Sequence, residues 1–316
     1  MPELPVVVVG AGIAGVSCAR VLAAAGVAVE LRERAFVPGG RMASRTLRGR
    51  RVDLGASYLT CRTQEFGEVV ADWTDRGLAR PWADRFAVRY SHGWGWSSIG
   101  PVRYGSAGGL RSLVEDLAAG LTVRTSTEVS DIGPGPTVDG DPAAAVVLAM
   151  PDPQASDLLA EELVDEVAAV ADRDFRPALA LAAGWPERVW RDVNGVFVRD
   201  DPVITRVADD GRRRGDGAPV LVAHTLAEFA EPYLDAPQEA TEAVLDGMLR
   251  VMEIEQRPEW VHLHRWSLAT PADARDEPFH LGDARVGLCG DSWGPPRVET
   301  AWLSGRALGL ALLDRL

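Results

Sequence analysis

Six residues near the amino terminus, Gly10-Ala11-Gly12-Ile13-Ala14-Gly15, have the types and spacing to hold a pyrophosphate against the main chain. Gly10 suits a tight turn, Gly12 lets the backbone approach the phosphates, and Gly15 lets a following helix pack on the preceding strand. Glu33, about twenty residues further on, is placed to accept hydrogen bonds from adenosine ribose hydroxyls. Together these residues predict a bound dinucleotide. They leave NAD and FAD both open.

The elements that must position them can be read from the same stretch, "VVVVGAGIAGVSCARVLAAAG". Val6 to Val9 form a continuous apolar run, as in a parallel strand buried on both faces. "VSCARVLAAAG" then carries apolar residues at helical spacing, Gly26 closes the helix, and "VAVELRER" predicts a second strand ending at Glu33. A helix that begins at the glycine turn offers free N–H groups and partial positive charge to phosphates. This strand, turn and helix context makes the glycine pattern specific.

The bulk sequence narrows the class. At 316 residues the chain suits two domains or one large one. Its formal charge of −13 argues against a nucleic-acid partner, although a few local arginines could still hold an anionic small ligand. The run "GRRRGDG" (211–217), set among aspartates, reads as a solvated loop tip. There is no lysine, so no lysine Schiff base can form. Cys18, Cys61 and Cys289 lie far apart without a CxxC pair, which suits a reducing compartment and predicts neither a disulfide framework nor a zinc site. The "MPELP" start lacks the positive region of an export signal, and no apolar run is long enough for a membrane helix. A cytoplasmic, soluble protein without a membrane partner is the expectation.

Later motifs distinguish the nucleotides. "ERAFVPGGRMASRT" sets Gly39-Gly40-Arg41-Met42 shortly after Glu33, "VDLGASYLT" (52–60) follows, and "VGLCGDSWGPPRVETAWLSG" (286–305) stands near the end. In these motifs and their order the chain resembles the flavin-dependent amine oxidases, and among them the smaller renalase-like branch. The resemblance implies non-covalently held FAD on an α/β, Rossmann-like domain of the glutathione-reductase and amine-oxidase type, with an inserted antiparallel-sheet substrate domain. The expected bounds are 1–72, 104–152 and 281–316 for the FAD-binding domain, and 73–103 and 153–280 for the substrate domain.

The residues agree with that implication. Gly39 and Gly40 free a backbone to pass close to a phosphate or ring, and Arg41 offers a fork of donors. Gly55, Ala56 and Ser57 are small enough for a planar ring to lie against them. Asp291 follows an apolar strand and suits a ribityl hydroxyl. A helix starting near Val298 to Ala301 would favour negative charge on the flavin edge, with Glu299 read as a first-turn residue pointing away from the ring. The resemblance also sets "VVLAMPDPQASDLL" (146–159) as a strand leading into a helix, and "GLTVRTSTEVSDI" (120–132) as a strand whose Glu128-Val129 backbone contacts adenine. "DIGPGPTVDGDP" (131–142) is read as a turn-rich connection without chemistry. The cofactor contacts so expected are Gly10 to Gly15, Glu33, Arg34, Gly40, Arg41, Met42, Gly55, Ala56, Ser57, Tyr58, Val129, Gly290, Asp291, Val298, Glu299 and Ala301.

The remaining segments, "PALALAAGW", "NGVFVRDD", "VITRVADD", "PVLVAHTL" and "WVHLHRWSLATP", are short alternating runs that predict an antiparallel sheet. "PQEATEAVLDGMLRVME" (237–253) predicts an amphipathic helix on it. In the resembled family such a sheet roofs the flavin. Two stretches could supply the roof: His92, Trp94 and Trp96 on one face of "SHGWGWSS", or His262, His264 and Trp266 on one face of "HLHRWS". Core filling by these tryptophans is the competing reading, and His262-x-His264 lacks a third ligand for a metal. Tyr58, His264 and Trp266 are the catalytic candidates.

Three reactions stay open: a renalase-like oxidase that takes hydride from NAD(P)H, an isomer of it or another planar electron-rich ring and passes electrons to O2; a flavin amine oxidase or desaturase on a small metabolite; and a non-catalytic FAD-binding sensor. Larger amine oxidases keep a lysine near the flavin, and this chain has none. Ser57 also departs from the renalase-like pattern, which carries an amide or similar polar residue there.

Overall fold

The computed structural model describes residues 4–316. The described residues form two compact units, one of residues 4–42, 114–175 and 270–316 and the other of 43–113 and 176–269.

The first unit is built on a six-stranded sheet. Its order runs His280–Leu281, Val286–Leu288, Ala145–Leu148, Val6–Val9, Val29–Arg32 and Thr122–Arg124, parallel throughout except for the first, antiparallel edge. Val6 to Val9 are all buried, as their unbroken apolar run requires. The helices Ile13–Ala24 and Val298–Leu313, from opposite ends of the chain, pack against each other. Their approach is set by Gly305, where a Cβ would lie 1.9 Å from the Ala14 carbonyl oxygen. The fold is therefore a Rossmann-like α/β domain.

The second unit holds a sheet in the order Trp260–Pro271, Phe175–Gly184, Val220–Thr225, Ile204–Asp209, Gly195–Val198, Arg80–Tyr90 and Gly93–Trp94, with Ser98–Gly105 also paired to Arg80–Tyr90. Alternation along these strands separates two faces. Leu179, Leu181, Val207, Leu221, Ala223 and Leu263 bury one face with Val244, Leu245 and Met248 of the helix Thr241–Met252. Ala180, Ala182, Val220 and Val222 bury the other with Val52, Leu54, Trp260 and Trp266.

Five expectations need correction. The sheet is mixed, because Gly195–Val198 runs parallel to Arg80–Tyr90. In 120–132 only Thr122–Arg124 is a strand of the main sheet; Ser126 then turns with φ 52 and the chain leaves the sheet. Residues 131–142 fold into a small three-stranded ribbon, Ile132–Gly133, Thr137–Val138 and Asp141–Pro142. The run 211–217 is no solvated tip: Asp210–Arg214 is a short helix, capped by the Asp209 side chain and ended by Gly215 at φ 83, with Arg213 fully buried and Arg214 nearly so. The compact units are also bounded differently from the expected domains. The ribbon Ser44–Leu47/Arg50–Asp53 is tied to Arg213 of the second unit by buried polar contacts, so 43–72 packs there, as does 104–113, while 153–175 and 270–280 pack in the first unit.

Candidate functional site

In the first unit the glycines have steric tasks. Gly10 ends the first strand at φ 102, and a Cβ there would lie 2.7 Å from the Ala149 carbonyl oxygen. A Cβ on Gly15 would lie 2.0 Å from the Gly10 oxygen, so the helix can approach the strand only with glycine at that position. Gly12 caps the helix Ile13–Ala24 without a side chain, and its first turn holds no acid, which keeps an anion-friendly end. Gly40, at φ 52, comes against Gly12: a Cβ on it would sit 3.3 Å from the Gly12 Cα. The Gly39 N–H donates to the Ala11 carbonyl at 2.9 Å and ties the two glycine turns together.

Glu33 sits at the mouth of this turn. Its carboxylate accepts from the Ala11 N–H at 2.9 Å and the Ala35 N–H at 2.8 Å, and it is 9% exposed. Arg41 donates a fork to Asp291, with Nη2 to Oδ1 at 2.6 Å and Nη1 to Oδ2 at 3.0 Å. Two residues from opposite ends of the sequence are thus brought into direct contact. The Gly290 N–H donates to Ser304 Oγ at 3.0 Å, which fixes the turn before Asp291. Val298 is half-buried, and Glu299 and Ala301 are buried at the start of the last helix. Met42 is buried and Arg34 exposed. Val129 belongs to the core with Val7 and Val9 but stands outside any strand, so the expected strand contact is corrected to irregular backbone. A helix end without acid and an anchored carboxylate fit the pyrophosphate and ribose of FAD.

In the second unit the segment 53–58 is held by its carbonyls. Arg213 donates to the Asp53 oxygen at 3.1 Å and to the Ser57 oxygen at 3.0 Å, and Trp266 Nε1 donates to the Leu54 oxygen at 2.8 Å. His224 Nε2 lies 3.0 Å from the Gly55 oxygen, which makes it the protonated nitrogen. Arg213 also pairs with Asp210, its Nε donating at 3.1 Å. Burial pushes the Asp53 carboxyl up, and the charge of Arg213 acts in the opposite sense. Asp53 in turn accepts from the Leu110 N–H at 3.0 Å and from the Ser44 hydroxyl. Gly55 and Ser57 are buried, and Ala56 and Tyr58 are half-buried.

Sequence reasoning missed Arg213, His224 and Ser44. A signal for the first existed: Asp210 and Arg213 stand three residues apart, after an Asp209 cap and before Gly215, which is the grammar of a short helix.

The strand Trp260–Pro271 presents His264 edge-on to Trp266, with ring centroids 4.7 Å apart at 82°. Arg265 and Ser267 on the alternate positions are exposed, and Leu263 is buried in the opposite core. The expected row of His92, Trp94 and Trp96 on one face does not form. His92 stacks on Tyr90 at 5.3 Å, Trp94 lies between Arg89 and Arg191 and donates to Glu253 at 3.0 Å, and Trp96 is 95% exposed. A turn at 91–92 breaks the alternation that would have aligned them.

Replacing Trp266 by Phe should keep the ring and delete the donor to Leu54. We expect a loss of about 1 kcal/mol in urea unfolding, and slower flavin reduction in stopped-flow mixing with FAD still bound. Unchanged reduction would remove Trp266 from the site.

Burial lowers the pKa of His264 to about 4, with Arg45, His262 and Arg265 acting in the same direction. His224 is held well below its usual value, first by burial and then by Arg206 and Arg213. Both rings are thus neutral near pH 7. The unfolded chain binds their protons first on acidification, so their contribution is complete above about pH 6.5 and declines as pH falls toward the folded values. Urea midpoints should fall between pH 6.5 and about 4. His264→Gln should flatten part of that slope, by about 1–2 kcal/mol after allowing for solvent screening of a partly exposed ring. An unaltered slope would refute the assignment.

The glycine turn, the anchored acid and the parallel sheet define a Rossmann-like dinucleotide-binding domain, and the family matches make it that of an FAD-dependent oxidoreductase. Residues 8–73 match the NAD(P)-binding Rossmann-like domain, and residues 76–307 match the flavin containing amine oxidoreductase family. The chain belongs to the flavin-containing amine oxidoreductase family.

Solved structures share its fold. A provisionally named protoporphyrinogen oxidase from Exiguobacterium sp. 255-15 superposes with a TM-score of 0.80 at 14% identity over 100% of both chains. Cyclohexylamine oxidase from Brevibacterium oxydans IH-35A gives 0.78 at 14% over 99% of both. A putrescine oxidase bound to putrescine gives 0.77 at 15% over 99% of both. At these identities the likeness concerns the fold alone. Among the described residues no helix is long and apolar enough to cross a membrane, and no three His, Cys, Asp or Glu side chains are grouped to hold a metal ion.

Proposed function

We propose that the protein is a renalase-like oxidase, which oxidises a reduced nicotinamide dinucleotide, an isomer of it, or a similar planar electron-rich ring. The substrate loses a hydride, and dioxygen with one further proton becomes hydrogen peroxide, so two electrons balance. FAD supplies the hydride acceptor and the route to oxygen when bound. The chain's own residues bind and orient. Gly10 to Gly15 with the following helix end receive the pyrophosphate, Glu33 the ribose, and Arg41 with Asp291 the phosphate and ribityl region. Gly55, Ala56 and Ser57 offer small side chains and fixed backbone to a flat ring, with Tyr58 beside them. In this reading the FAD is dissociable.

The observation that carries this reading is a neutral imidazole set against an indole, His264 on Trp266, in a chain without lysine. That face suits stacking of a flat ring, and no lysine is present to hold a water as in larger amine oxidases. A single glycine fingerprint means that a nicotinamide donor would meet the flavin directly. Membership of the amine oxidoreductase family favours the second reading, oxidation of a small amine.

Anaerobic mixing of the yellow protein with NAD(P)H isomers, amines and amino acids separates them. Bleaching by the nicotinamide panel alone is expected, and bleaching only by amines would overturn the proposal. Reduction by dithionite but by none of the compounds would favour an FAD-binding sensor instead.

A further inference from the structure

The second unit contains a group of buried hydrogen-bond donors that the described residues leave without acceptors. Arg103 is 5% exposed, and its Nε and Nη1 have no partner. Its guanidinium lies over three rings, 4.3 Å from the Phe86 centroid, 5.3 Å from Tyr58 and 5.5 Å from Phe197. Trp82 packs edge-on to Phe86 at 5.0 Å, and its Nε1 is enclosed without an acceptor. The hydroxyl of Ser57, beside Tyr58 in the chain, is likewise buried and unpartnered. Arg206 stands directly across the strands from Phe197, and its Nε is buried and unpartnered as well.

Buried polar groups in native proteins are almost always satisfied, so a set of orphan donors around one ring needs an explanation. Salt bridges do not provide it. Among the described residues neither Arg103 nor Arg206 pairs with a carboxylate, whereas Arg213 nearby is fully engaged by Asp210 and Asp53. Cation–π contact with three rings can hold a guanidinium in place, but it leaves the in-plane N–H groups free. The neighbourhood is also cationic. His224, across the strands from Arg206, is kept neutral by burial and by the charges of Arg206 and Arg213. An ammonium ion would be repelled here, while a carboxylate or phosphate would find forked donors and a flat apolar wall. Tyr58, Phe197 and Arg206 are each only partly covered.

We propose that Arg103 and Arg206, with Ser57, Trp82 and the Tyr58, Phe86 and Phe197 rings, form an anion subsite. It would take a carboxylate or phosphate group attached to a planar ring, so the substrate is an anion and not an amine cation. This rests on the oxidase reading above and names the substrate's charge.

The test uses the FAD-loaded, oxidised protein and isothermal titration calorimetry. The probes are benzoate, phenyl phosphate, benzamide and benzylamine, which share a ring and differ in charge. At least one of the two anions should bind at least tenfold more tightly than benzamide or benzylammonium. Benzoate alone would mark a carboxylate site, phenyl phosphate alone a phosphate site. Arg206→Gln, at the less buried of the two arginines, should weaken anion binding at least tenfold, and Arg103→Gln should do the same if it folds. Equal affinity for anions and benzamide, or undiminished anion binding by Arg206→Gln, would overturn the proposal. Because binding is read without turnover, a protein that no nicotinamide reduces can still pass, and one that nicotinamides reduce can still fail.

Discussion

Replacing Arg213 by methionine is expected to destabilise the protein by about 3–5 kcal/mol, because removal of one partner strands buried charge. Arg213 is fully buried and binds Asp210, the Asp53 carbonyl and the Ser57 carbonyl, with the Asp53 carboxylate 3.7 Å away. Without it, two buried aspartates face each other, with Arg50 paired to Asp210 from the edge and the charge of Arg214 nearby. The segment 53–57 also loses two of its carbonyl anchors. Arg213→Lys keeps the charge but not the fork, and should recover less than half of the loss. Urea unfolding of both variants checks this. A change under about 1 kcal/mol for the methionine variant, the range of an exposed ion pair, would show that the network is not holding the segment.

The second large effect is on cofactor retention. Gly15→Ala should yield a folded but colourless protein, with FAD affinity reduced roughly 100-fold or more. The added Cβ would meet the Gly10 carbonyl oxygen at 2.0 Å, with Ala149 Cβ and Val8 at 3.1 Å. None of these is the tip of a flexible chain, so the helix must move off the strand. Overpacking of this kind costs about 1–3 kcal/mol, and the displaced element is the one offered to the pyrophosphate. Gly26→Ala is the control. Unlike Gly15 it has positive φ, 82°, and nothing lies within 4 Å of its Cβ. It should lose about 1 kcal/mol of stability and stay yellow. Gel filtration followed by the visible spectrum separates the outcomes; a yellow Gly15→Ala protein would contradict the role given to that contact.

Legibility in this chain followed the range of the interactions. Strand Val6–Val9, the glycine turn, the helix after it and Glu33 lie within thirty residues, and each is specified by its neighbours. Trp260–Pro271 coincides with the run "WVHLHRWSLATP", because period-two alternation is local as well. The "SHGWGWSS" reading failed because alternation was extended through residues that turn the chain. The "GRRRGDG" reading failed for a different reason. Arginine is normally a surface residue, and only partners far away in sequence could bury this one: Ser57 stands 156 residues from Arg213.

Sequence alone therefore determined that a glycine turn joins a buried strand to a helix, and that the chain contains no lysine. Tertiary structure decided which side chains stand opposite one another. It set Arg41 on Asp291, fastened residues 53–57 to Arg213, Trp266 and His224, and left Arg103 and Arg206 without counterions. The physical reason is that a turn or a helix is selected by torsions and neighbours a few residues apart. The fate of a buried charge instead depends on which distant group the folded chain brings within hydrogen-bond reach.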